Sequence, residues 1–72
     1  MIFVLKQKDE LFYGFEYLEK TFILNKESLS VVEELDSEFY PSSYEIIDYM
    51  DSDYNLEYKI KDNIYKKLLK EK

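Results

Sequence analysis

Ten carboxylates and five tyrosines fall between positions 27 and 58, in the stretch ESLSVVEELDSEFYPSSYEIIDYMDSDYNLEY, with no basic residue among them. These are the side chains whose types could do chemistry. The rest of the usual repertoire is missing. The chain has no histidine, the commonest general base and metal ligand, and no cysteine for a thiolate site or thiol nucleophile. All ten basic residues are lysine. A carboxylate pair can hydrolyse a glycoside, but it needs a cleft and two distinct environments. A 72-residue chain has little room for either, so the expectation is a protein that is not an enzyme and carries no cofactor.

A metal site would have to come from the carboxylates. Asp51, Asp53 and Asn55 resemble the first three ligand positions of an EF-hand loop, with Glu57 at the backbone-carbonyl position and Asp62 at the twelfth. Leu56 stands where that loop needs glycine, Lys59 takes a ligand position, and Asp62 replaces the closing glutamate. No metal is expected. The lysine-rich tail from 59 to 72 could touch phosphates, but an ordinary solvated helix face explains it, and a net charge of −6 repels a duplex. Direct nucleic-acid binding is not expected.

The acidic run then has three uses to choose between. It can be a solvated face that keeps a small protein soluble. It can bind a basic partner in the manner of nucleic acid. B-DNA carries one charge per about 1.7 Å of axis, so ten carboxylates equal roughly 17 Å of duplex. Tyrosine suits such a surface, with a rigid ring and a polar tip, while carboxylates steer a basic partner. The residues expected to make this contact are Glu33, Glu34, Asp36, Glu38, Tyr44, Glu45, Asp48, Tyr49, Asp51 and Asp53. Tyr44 and Tyr49 are expected to be exposed, and Tyr58 to be core. The third use is self-association, because residues 59–72 carry net +4 against −10 for residues 27–58. Tail and middle could meet between copies as a homodimer, or neutralise each other within one chain.

The elements that must position these residues are read from periodicity. MIFVLKQ, LFYGFEYL and TFIL read as strands, with Gln7-Lys8-Asp9-Glu10 as a hairpin loop. Leu11, Phe15, Leu18 and Phe22 also fit a helical stripe, but Gly14 and the aromatic density favour strand. The acidic middle reads as two short helices. Ser30 with Glu33 forms a capping box before Leu35, and Ser42 with Glu45 forms another after Pro41. Asn55 to Lys61 alternates as a half-buried strand. Asp62 or Asn63 then caps a lysine-rich C-terminal helix. The expected fold is a single α+β domain over residues 1–72: an N-terminal antiparallel hairpin or meander packed on two short acidic helices, one further strand and the C-terminal helix.

Such a chain has a radius of gyration of roughly 11 Å. It buries only about 60% of its unfolded surface. Thirteen Phe and Tyr residues must supply the core, unless oligomerisation completes it. The apolar run Ile2-Phe3-Val4-Leu5 is too short for a signal peptide and nothing approaches a membrane span, so a cytoplasmic location is expected.

Length, charge and the 27–58 block together resemble those of phage-encoded inhibitors of host defence, including DNA-mimic anti-restriction and anti-CRISPR proteins. The lysine-only, Tyr/Ile-rich composition fits an AT-rich genome of a low-GC bacterium or its viruses. Antitoxins and nuclease-immunity proteins are similar in style. The resemblance implies inhibition by stoichiometric binding to a basic host protein, such as a nucleic-acid-binding enzyme or effector complex. In the second group the implied partner is a basic toxin.

Overall fold

The computed structural model describes residues 2–36, 43–50 and 54–70. Five strands form one antiparallel sheet in the order β4-β3-β2-β1-β5: β1 (Ile2–Gln7), β2 (Glu10–Tyr17), β3 (Lys20–Asn25), β4 (Val31–Asp36) and β5 (Glu45–Met50). Among the described residues one helix, α1 (Tyr54–Lys70), packs on the sheet. The α+β class and the N-terminal meander match the periodicity.

Two-residue turns set the register. Lys8 and Asp9 connect the closing pair Gln7–Glu10. Leu18 and Glu19 connect Tyr17–Lys20, with φ of 54° and 62°. Two successive positive φ values are what a type I′ hairpin turn requires, and its twist matches that of the strands. The β3–β4 connection is held by Asn25, whose Oδ1 accepts the backbone N–H groups of Glu27 and Ser28 at 2.9 and 3.0 Å. Leu29 closes this turn at φ 60° by donating its N–H to the Asn25 carbonyl.

Alternation sends side chains to two faces. Ile2, Val4, Tyr13, Phe15, Phe22 and Leu24 form the first, which α1 covers with Ile60 and Ile64, flanked by Leu56 and Leu68. These four helix residues recur every fourth position, so they make one row on the side facing the sheet. The helix is also fastened to the β3–β4 turn, where Asn63 Nδ2 donates to the Leu29 carbonyl at 2.8 Å. Leu5, Phe12 and Ile23 centre the second face, with Phe3, Leu35, Tyr44 and Ile46 against them. A Cβ at Gly14 would meet Leu5 Cδ1 at 3.0 Å, so glycine there makes room for that core side chain.

The structure corrects several expectations. The two acidic helices are strands β4 and β5. Each carries adjacent β-branched residues, Val31-Val32 and Ile46-Ile47, that favour strand. Each also lies at a register shift, between Ile23/Leu24 opposite β4 and between Val4/Leu5 opposite β5. The extra residue of a bulge breaks period 2 and produces a false helical arc. The capping box at Ser30 therefore begins no helix, and Ser42 of the other box lies outside the described residues. The expected strand from Asn55 to Lys61 is the first half of α1. Its alternation rests on Leu56, Tyr58 and Ile60, and Tyr58 is no core residue: it is 75% exposed. Asp62 and Asn63 consequently lie inside the helix instead of capping it.

Candidate functional site

The sheet order separates the expected contact residues. Glu33, Glu34 and Asp36 lie on β4 at one edge; Glu45, Asp48 and Tyr49 lie on β5 at the other, while Tyr44, just before β5 in the chain, reaches back over the second face to Glu33. Four inter-strand spacings, roughly 19 Å, divide the two edges. Glu38, Asp51 and Asp53 fall outside the described residues.

The β4 edge is largely engaged within the chain. Glu34 opposes Phe22 on the helix-covered face and forms ion pairs with Lys20 and, at 3.6 Å, with Lys67 of α1. The hydrogen bond from Lys20 is the largest influence on its carboxyl; burial opposes it, but the charges of Lys20 and Lys67 add to it, and together they hold the carboxyl below the usual range. Glu33 faces the other way and accepts a 2.9 Å hydrogen bond from the Tyr44 hydroxyl. The Tyr44 ring packs edge-on against Phe12, with centroids 5.3 Å apart at 78°. Burial, then the Glu33 hydrogen bond and charge, push the Tyr44 phenol up to about 12. Tyr44 is thus half-buried, not free as expected, because its ring completes the second face.

The β5 edge is different. Glu45, Asp48 and Tyr49 are exposed, Tyr49 by 58%. Neither Glu45 nor Asp48 forms an ion pair among the described residues. Asp48 Oδ1 accepts the Tyr49 backbone N–H at 2.8 Å. The Tyr49 ring meets Phe3 edge-on, with centroids 5.4 Å apart at 71°, which fixes it while leaving its outer side open.

The helix carries surfaces that the acidic run drew attention away from. Tyr54, Tyr58 and Tyr65 are 81%, 75% and 59% exposed. Lys61 Nζ sits 5.5 Å from the Tyr17 ring centroid. Ser28, Ser30, Lys66, Lys67 and Lys70 line a groove of about 310 Å³. Lys66 is paired there with Asp62 at 3.0 Å and Lys67 with Glu34.

Among the described residues no group of three or more acids could hold a metal ion. Asn55, Leu56 and Glu57 are helical, so they cannot follow an EF-hand loop. Asp9, Glu10 and Glu27 line a depression of about 270 Å³ that also holds Lys26. No described helix is long and apolar enough to cross a membrane. No known family, no curated protein and no solved structure matches the chain.

Proposed function

We propose that the chain is a non-catalytic interaction protein, an inhibitor of the anti-defence type from a phage or mobile element. It occupies the basic nucleic-acid groove of a host protein, such as a nucleic-acid-binding enzyme or effector complex, in the host cytoplasm. The observation that carries this reading is the β5 edge: Glu45 and Asp48, on the helix side of the sheet, are exposed and form no ion pair among the described residues, and Tyr49 is exposed on the opposite face of the same strand. Asp51 and Asp53 continue the acidic run directly after it. Carboxylates on such an edge raise the association rate with a cationic groove, and the tyrosine supplies contact area once water is displaced. The β4 acids contribute less, since Glu34 already has two lysines.

A second reading rests on Tyr49 itself. Its support on Phe3 builds a rigid apolar element into the edge, which suits a tight, salt-resistant contact of the antitoxin or immunity type with a basic toxin. Both readings use one edge, so one variant tests it. Glu45→Lys with Asp48→Lys is expected to abolish capture of the partner while the circular dichroism spectrum is unchanged, because both side chains are exposed. Undiminished capture by the folded double variant would remove β5 from the contact.

A further inference from the structure

Helix α1 has a second apolar row that the fold does not use. Successive helical residues turn by about 100°, so Tyr54, Tyr58, Tyr65 and Leu69 fall within an arc of roughly 60°. All four are open to solvent, Leu69 by 53%. Three large rings and a leucine in one stripe are unusual for a surface with no partner. We propose that this stripe is the interface of a symmetric homodimer, in which two copies of α1 pack antiparallel about a twofold axis between Lys61 and Asp62.

The spacing makes the stripe self-complementary. Reversing the helix about a point midway between 61 and 62 sets Tyr54 level with Leu69 of the other copy. Tyr58 then comes level with Tyr65, and Lys61 with Asp62. Apolar side chains therefore meet apolar ones at both ends, and the centre brings together two symmetry-related pairs of Lys61 and Asp62, as an isologous contact needs. Beside the stripe, Tyr17, Tyr58, Lys61, Asp62 and Tyr65 border a groove of about 230 Å³. It lies at the level where the partner's tyrosines arrive and has room for a ring.

Area supports a pair of copies. A tyrosine can bury about 150–250 Å², so at these exposures the stripe offers roughly 500 Å² per copy and about 1,000 Å² for the pair. That is just below the roughly 1,200–2,000 Å² of a standard interface and reaches the floor of about 1,000 Å² for a biological one, to which flanking side chains add. Lys59, Lys66 and Lys70 lie roughly 110° around the helix from the stripe, at the rim, where water can reach them. Salt screens their mutual repulsion across the dimer as well as the Lys61–Asp62 attraction at its centre, so the apolar contact holds this association at high salt, unlike a contact made by the β5 acids.

Sedimentation velocity on the full chain, from micromolar to millimolar, tests the proposal. A monomer–dimer equilibrium is expected that persists at high salt. Tyr58→Glu and Tyr65→Glu should each raise its dissociation constant about thirtyfold or more without unfolding the chain. Tyr49→Glu, on β5, should leave it unchanged. Because the chain has no cysteine, single substitutions report the orientation. A mixture of Tyr54→Cys and Leu69→Cys chains should form the mixed disulfide on mild oxidation, since facing helices bring opposed Cα atoms within disulfide reach. Neither chain should crosslink efficiently to itself. A monomer throughout, a dimer indifferent to Tyr58→Glu, or preferential crosslinking of Tyr54→Cys to itself would each overturn the antiparallel dimer. So would a monomer that uses the same tyrosines to bind a single-stranded oligonucleotide or a different protein.

Discussion

Glu34 sits between two lysines, and that placement ties the charge of one residue to the pH at which the fold holds. Its carboxyl is held low chiefly by Lys20, then by Lys67. A carboxylate with a depressed folded pKa contributes stability above its unfolded value and loses it as pH falls through the folded one. Glu34→Gln should therefore lower the urea midpoint at neutral pH and flatten its decline on acidification below about pH 5. Urea titrations of both proteins across that range check this. Tyr44 works in the opposite direction. Its phenol is raised to about 12, so its contribution is complete below pH 10 and disappears as pH climbs from there. Tyr44→Phe keeps the ring on Phe12, should cost about 1 kcal/mol at pH 7 through the lost bond to Glu33, and should show less alkaline destabilisation. At this scale the sequence was partly legible. The open side of Tyr49 follows from its acidic neighbours. The inward turn of Tyr44 does not, because it depends on Phe12 lying next to it across the sheet.

Among the elements, the hairpins were the most readable. The β1, β2 and β3 segments are dense in branched and aromatic residues, and short polar stretches punctuate them. The acidic strands were not readable for a definite reason: a bulge in each sets two apolar neighbours side by side and imitates a helical arc. The first half of α1 failed the other way. Its alternation is real, but Tyr58, in phase with Leu56 and Ile60 along a strand, points to solvent in the helix, and the true core row of Leu56, Ile60, Ile64 and Leu68 is visible only over several turns. The Leu18–Glu19 turn also belongs to this scale. Both residues adopt positive φ without being glycine or asparagine, at a cost of roughly 1–2 kcal/mol each. Replacing them by Asn-Gly, the pair that type I′ turns prefer, should stabilise the chain by about 1–2 kcal/mol, or several degrees in Tm. Thermal denaturation measures this directly, and an unchanged or lower Tm would mean that the turn is not strained.

For the molecule as a whole, the decisive feature is how the meander distributes charge. Residues 27–58 are one acidic block in the sequence, yet the sheet order sends its two strands to opposite edges. One edge is compensated by Lys20 and by the lysine-rich helix, so part of the charge contrast along the chain is neutralised internally. The other is left open. That division could not be read from composition, because it depends on β5 pairing with β1 instead of with β4. It leaves two surfaces with different physics: an acidic edge whose contacts weaken with salt, and a tyrosine stripe whose contacts do not.

The proposed inhibitor function stands or falls on the acidic edge competing with nucleic acid for a basic groove. The direct measurement is a pull-down with the full chain from a low-GC bacterial lysate at low salt. It is repeated in the presence of excess duplex DNA and again at about 0.5 M salt, where the Debye length falls to roughly 4 Å. The expected result is capture of a nucleic-acid-binding protein that is displaced by the duplex and released by the salt. Capture that neither duplex nor salt reverses would contradict competition for the groove and favour the toxin-binding reading. Recovery of no partner but the chain itself would contradict both.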